Sequence, residues 1–410
     1  MKLEDRPFNH TFSTSIIQMA ISLINFSGVS FRSVSKIFLV MKITFNLNIR
    51  IPSHTTVLNW VKKQGIANFR DKDFFENEKW ILIIDESIQF GNKKLLAVIA
   101  VSASKQNLGR ALNYKDLVPV ILKSSESWKA DEIAVEIKAH FNLDQILYVV
   151  SDNGNNLKSS YDKLGLKHIE DVGHKFSWII KEVYEKQTDF EIYTKQLSSM
   201  RAKLSMSKYS HIIPPNQRII SRFMNLTPLF KWGNKMIDLL EKNKLNKEER
   251  EKVEFVLVKK EFIQQTYNLL LLLNQIQKIL KTKGFSIVST NKCRKLLKKS
   301  NCEKGKKVQI MINQYFEETL QKMENGKTIL CSSDILESCF GKYKSVVKAN
   351  KTVGITDLCL CISTLLGEND FKSTEEAMYK IKTTQIKEWK HKNIGETLFD
   401  KRNRFYKKVG

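Results

Sequence analysis

The stretch Trp80-Ile81-Leu82-Ile83-Ile84-Asp85 is an unbroken apolar run ending on a carboxylate, and Ile146-Leu147-Tyr148-Val149-Val150-Ser151-Asp152-Asn153-Gly154 repeats that arrangement further along the chain. Apolar runs without polar alternation, each about one strand long, are the signature of strands buried on both faces. Working outward, Gly91-Asn92 predicts a turn and Leu95 to Val101 a second strand. Leu117 to Leu122 predicts a third, whose Pro119 favours an edge position or a bulge, because proline cannot donate to a ladder. Residues 129 to 141 switch to helical period, with Ile133, Ile137 and Phe141 on one face. A short helix after Asp152, a fifth strand near 167 to 172 and a helix from about 174 complete the order. Three strands, helix, strand, helix, strand, helix predicts an α/β core: a mixed sheet with helices on both faces.

Before this core, three short helical patterns occupy roughly residues 12 to 66. Gly28 and Ser30 separate the first two, and Pro52-Ser53 opens the third, with Ser53 as the expected N-cap. Short helices in this succession suit a helix-turn-helix whose third helix enters a major groove. His54, Thr55, Thr56, Asn59, Lys62 and Lys63 are then its expected exposed, DNA-facing residues. A small helical bundle with no such role has the same pattern.

Composition narrows the partners. Lys and Arg number 68 against 43 Asp and Glu, a net charge of +25, well beyond what solubility needs. A polyanion is the implied partner, nucleic acid before membrane, since no basic amphipathic helix flanks an apolar span. The start has no signal-peptide core, and the longest uninterrupted apolar run, Leu269 to Leu273, is far too short to span a bilayer. The six cysteines form no CxxC pair and have no neighbouring His at zinc-ligand spacing, so they read as reduced thiols of a cytoplasmic protein.

The strand order, with one Asp on the first strand and one ending the fourth, resembles the ribonuclease-H-like fold of DDE transposases, here of a prokaryotic insertion-sequence type. Asp85 and Asp152 match that family's first two carboxylates. Its third sits on a helix after the fifth strand, often beyond an insertion, and Cys331-Ser332-Ser333-Asp334-Ile335-Leu336-Glu337 supplies the match. Ser332 or Ser333 can cap that helix, with Glu337 one turn in. Lys344 lies seven residues on, two turns away on the same face. The spacing Glu-x6-Lys matches part of the Tyr-Arg-Glu-Lys signature of one insertion-sequence family, but Leu330 and Ser333 stand where its Tyr and Arg would be. Asp334 is the alternative third ligand. Glu86, next to Asp85, faces the other side of the strand and makes a poor co-ligand.

The resemblance implies two Mg²⁺ ions, replaceable by Mn²⁺, held by Asp85, Asp152 and Glu337. It implies cleavage at transposon ends and strand transfer into target DNA, by a homodimer or larger synaptic assembly. His174 and Lys344 are secondary active-site candidates. Lys175, Lys342, Lys344 and Lys348 are expected phosphate contacts, with Arg218 and Arg222 as weaker ones. The alternatives are a non-transposing DNA-binding regulator or domesticated derivative, and a structure-specific nuclease of the same fold.

Between Asp152 and Glu337 stand 184 residues, too many for a loop. They read as an all-α insertion, resembling hAT-type organisation, with 246 to 282 as one long helix. Trp178 and Trp232 could stack on an unpaired base there, although large aromatics usually belong to cores. The expected domains are 1–70 (helix-turn-helix-like), 75–187 (core, first part), 188–328 (insertion), 329–350 (core, second part) and 351–410 (a basic helical tail).

Overall fold

The computed structural model describes residues 6–90, 93–105, 110–218, 222–322, 327–347 and 354–409. Along the chain run α1 (Thr14–Ser27), α2 (Phe31–Thr44), α3 (His54–Ala67), β1 (Trp80–Phe90), β2 (Lys93–Ser102), β3 (Leu117–Ser125) and α4 (Ala130–His140). β4 (Ile146–Ser151), α5 (Asn155–Leu164), β5 (His168–Glu170), α6 (Val172–Tyr184), α7 (Thr188–Leu204) and α8 (Thr227–Glu241) follow. Then come α9 (Lys247–Val253), α10 (Phe255–Val258), α11 (Lys260–Lys283), α12 (Ile287–Leu297), α13 (Glu303–Gln321) and α14 (Asp334–Val347). The chain closes with α15 (Leu360–Leu365), α16 (Phe371–Lys380), α17 (Thr383–Asn393) and α18 (Leu398–Val409). It divides into two compact units, one of Met1–Gln106, Leu112–Ile169 and Ser333–Gly410, the other of Asn107–Ala111 and Glu170–Ser332.

The first unit holds a five-stranded mixed sheet in the order β3-β2-β1-β4-β5. β1 pairs antiparallel with β2 and parallel with β4, and β2 pairs antiparallel with β3. Pro119 lies on the edge strand, opposite a register shift between Val98 and Ile99, as its missing N–H requires. One sheet face, with Leu82, Ile84, Leu96, Val98 and Val149, packs on Ile133 and Ile137 of α4 and Leu157 and Tyr161 of α5. Side chains alternate along a strand, so Ile81, Ile83, Ala97 and Ile99 form the other face; all are buried. α14 packs against β1.

Residues 14–67 do not form a separate domain. A single cluster joins Ile17, Ala20, Val34, Phe38, Val57 and Val61 to Cys361, Ala377 and Met378 from the far end of the chain. Buried amides lock the join. Asn25 Nδ2 donates to the Thr364 carbonyl at 2.8 Å, and Asn68 Nδ2 donates to the carbonyls of Ser363 and Leu366, both at 2.9 Å. The expected split into 1–70 and 351–410 therefore gives way to one joint helical layer. Sequence periodicity reports which face of a helix is apolar, not which distant helix covers it.

The second unit begins before the expected 188. α6, expected within the core, packs instead on α11 and α13, with Phe176 edge-on to Tyr315 at 6.4 Å. The expected single helix over 246 to 282 is three: α9, α10 and α11, interrupted at Glu254 and at Lys259, whose φ of −112° and ψ of 21° are not helical. Continuing one helix past the buried Val253 and Val256 would carry Lys260, one turn after Val256, onto the buried stripe. The break instead lets Lys260 pair with Glu241 and Lys259 with Asp189, the latter at 2.7 Å.

Candidate active site and nucleic-acid surface

The parallel pairing of β1 and β4 aligns Ile81 with Tyr148, Leu82 with Val149 and Ile83 with Val150. Asp85 lies two residues beyond Ile83 and Asp152 two beyond Val150, at the same end of neighbouring strands, which run about 5 Å apart. Asp85 is buried, 8% exposed. Asp152 directly follows β4, where its Oδ1 accepts the Gly154 N–H at 3.1 Å. That turn holds the carboxylate at the strand end and starts α5 behind it. The sequence expectation that these two aspartates meet rested on strand order, and β1 and β4 are neighbours in the sheet.

α14 starts at Asp334, and the Ser333 carbonyl accepts the N–H groups of Leu336 (2.9 Å) and Glu337 (3.3 Å). Glu337 is half-buried and Asp334 exposed. The Ser338 hydroxyl hydrogen-bonds that of Tyr114 at 2.7 Å, and Lys342 ties the helix to α1 through the Asn25 carbonyl. Asp85, Asp152 and Glu337 thus belong to one compact unit. Their oxygen donors suit a hard divalent cation in kind, yet among the described residues no three His, Cys, Asp or Glu side chains gather closely enough to hold a metal ion. Asp85 and Asp152 lie at the same end of neighbouring strands, and Glu337 shares the unit without closing a three-donor cluster.

Of two neighbours, sequence reasoning set Glu86 aside as a poor co-ligand and missed Tyr161. Glu86 leaves β1 where the β1–β2 register shifts between Asp85 and Ile88, pairs with Lys94 at 3.7 Å, and keeps its Oε2 buried without a hydrogen-bond partner. Burial raises its pKa; Lys94 opposes the rise and Asp152 adds to it. Tyr161 is fully buried, its pKa raised by burial, lowered by Ser151, and raised again by Asp152, Asp85 and Glu86. This neutral phenol therefore sits within electrostatic reach of three carboxylates. Ser151 Oγ meets His168 Nε2 at 3.0 Å beside it. Tyr161 shares its helix face with Leu157 and Leu164, a stripe that in sequence signals only core.

The expected DNA-contacting residues scatter. Ser53 caps α3 as predicted, accepting the Thr56 N–H at 3.1 Å. α3 packs against α1, α2, α15, α16 and α17, so only its first turn, His54 and Thr55, is openly exposed. Thr56 and Asn59 are half-buried. Lys62 donates to Asp357 Oδ2 at 2.7 Å, and Lys63 Nζ lies 3.1 Å from His10 Nε2. Neither lysine has a free ammonium for a phosphate, and a groove-filling role for the length of α3 is corrected accordingly. Lys342 is likewise engaged: its Nζ donates to the Asn25 carbonyl at 2.8 Å and lies 4.7 Å from the Tyr114 ring centroid, and burial lowers its pKa. Lys344 is exposed, and Lys348 lies outside the described residues.

Within the second unit, the backbone N–H of His174 is capped by Asp171 Oδ1 at 2.8 Å. Lys175 pairs with Glu170 at 3.1 Å and sits 4.7 Å over the ring of Trp178, which is 46% exposed. Trp232 is core, its Nε1 donating to the Ile212 carbonyl at 3.1 Å. Arg218 is exposed, and Arg222 lies over Phe190 at 5.0 Å. All six cysteines are free. Among the described residues no helix is long and apolar enough to cross a membrane.

No protein-family model matches the chain, and no curated protein matches it.

Proposed function

We propose that this chain is a DNA transposase with a ribonuclease-H-like core, cleaving transposon ends and joining them to target DNA. The observation that carries the reading is the parallel pairing of β1 with β4 up to Ile83 and Val150, two residues short of Asp85 and Asp152, in a sheet of order β3-β2-β1-β4-β5. A helix bearing Glu337 packed on β1, and a net charge of +25, support it further. In this reading the two aspartates, with Glu337 as third donor, would hold Mg²⁺. The ions supply activation of an attacking hydroxyl and stabilisation of the leaving oxygen. The chain's own work is to hold two carboxylates together against their repulsion and to grip the phosphate backbone with exposed cations such as Lys344.

The test is incubation of the full chain with DNA carrying the element's terminal sequences, a supercoiled plasmid and Mg²⁺. Joined products are expected from the wild type and none from Asp85→Asn, Asp152→Asn or Glu337→Gln, each still binding DNA. Cleavage without joining would make the chain a nuclease, and binding without cleavage a regulator. Cleavage retained by Glu337→Gln but lost in Asp334→Asn would move the third ligand.

A further inference from the structure

Residues 6–70 contain eight Lys or Arg and no Asp or Glu, in a chain with 43 acidic residues in 410 positions. The fold sorts these cations into two groups. Lys62, Lys63 and Arg70 are turned onto protein partners: Asp357, His10, and the Ala67 and Phe69 carbonyls. Arg6, Arg32, Lys36, Lys42 and Arg50 are exposed, with no ion pair among the described residues. At 100° per residue, Arg32, Lys36 and Ile43 fall within about 40° of one another on the face of α2 opposite its buried Val34 and Phe38. Leu39, Val40 and Ile43 continue that face, 44%, 60% and 72% exposed. The connection to α3 then presents Asn46, Asn48 and Arg50 to solvent.

We infer that α2 and the connection after it, not α3, form the surface on which this protein docks duplex DNA. α3 is enclosed by five helices and offers one turn; α2 keeps a whole face open. Unpaired cations one helical turn apart fit successive phosphates. Amide and guanidinium side chains beside aliphatic ones are the groups that read base edges and thymine methyls. A second copy of the same surface is disfavoured because it carries the same uncompensated positive charge, and an anionic lipid surface has no use for the two asparagines. The choice of duplex DNA rests on the reading proposed above, but the test does not involve cleavage.

The test compares the full chain with Arg32→Ala/Lys36→Ala and with a control pair, Lys138→Ala/Lys158→Ala, exposed cations on α4 and α5. Each is titrated onto a labelled random-sequence duplex by anisotropy over a range of salt. Each phosphate contact contributes about 0.9 to the salt dependence, so the α2 pair should lower the log–log slope by about two. Affinity at low salt should fall on the order of tenfold, with the control near wild type and circular dichroism unchanged in both. Equal losses in the two pairs, or an unchanged slope in the α2 pair, would overturn the inference. So would unchanged DNA binding with loss of binding to phosphatidylserine vesicles, which would assign the face to lipid. A protein that docks DNA through α2 yet never cleaves it would sink the enzyme reading and leave this surface standing.

Discussion

Alanine at Gly65, in the last turn of α3, and alanine at Gly341, in the middle of α14, are the same chemical change within a helix, and the structure predicts opposite signs. In isolation each gains roughly 1 kcal/mol, because alanine loses less backbone entropy on forming a helix. At Gly341, on α14, an added Cβ meets nothing within 4 Å, so the gain should survive. At Gly65, on α3, it would stand 2.6 Å from the Leu360 carbonyl oxygen, 2.9 Å from Ser363 Oγ and 3.0 Å from Leu360 Cβ. These separations are far inside the roughly 3.5 Å at which heavy atoms pack. The nearest obstacle is backbone, so no rotamer change relieves it, and α15 must recede. Overpacking of this kind costs about 1–3 kcal/mol, and the upper half of that range applies. Subtracting the propensity gain leaves Gly65→Ala destabilised by about 1–2 kcal/mol, several degrees in melting temperature. Urea unfolding followed by circular dichroism and by fluorescence, to which the buried Trp60 on α3 contributes, reads both variants. If Gly65→Ala is as stable as wild type, or rises alongside Gly341→Ala, then propensity alone governs and the packing of α3 on α15 is wrong.

Other outcomes follow from single contacts. Asn68→Ala removes three buried hydrogen bonds, to the Ser363 and Leu366 carbonyls and from the Gln64 amide, with the Ser363 carbonyl keeping the Leu366 N–H; a loss of about 2–3 kcal/mol is expected in the same unfolding experiment. Asp357→Asn should cost about 1–3 kcal/mol by leaving the Lys62 ammonium, 14% exposed, without its counter-charge. Glu86 gives a pH signature. Its folded pKa is raised, chiefly by burial, so the folded state keeps the proton longer than the unfolded chain and loses stability as pH climbs from the ordinary glutamate value through the raised one. Glu86→Gln should therefore match wild type below that window and exceed it in stability at neutral pH. A variant whose advantage were greatest in acid would contradict the sign.

What the sequence disclosed follows from the range over which each signal acts. Strand type and order were legible because Ile81 to Ile84 and Val149 to Val150 are apolar on both faces, and a local pattern records that. The Pro119 edge position was legible because it follows from a missing N–H. That the strands bearing Asp85 and preceding Asp152 are neighbours followed from their order. The cover over α3 was not legible: Asn25 and Asn68 look like ordinary polar residues until their partners at 363–366 are seen. The same limit misassigned Lys62, Lys63 and Lys342, whose charge is local but whose partners Asp357, His10 and Asn25 are distant or unremarkable in sequence. Tyr161 was hidden by its resemblance to core, and Glu86 by an alternation that the register shift after Asp85 interrupts.

The central claim is that Asp85 and Asp152 together hold a divalent cation, and Mn²⁺ binding to the full chain measures it without DNA or turnover. Paramagnetic titration should find Mn²⁺ bound by the wild type, displaced by Mg²⁺, and weakened at least about tenfold in Asp85→Asn and in Asp152→Asn, as loss of a charged oxygen ligand requires. Undiminished binding in both aspartate variants would contradict the account, whatever those variants did to DNA.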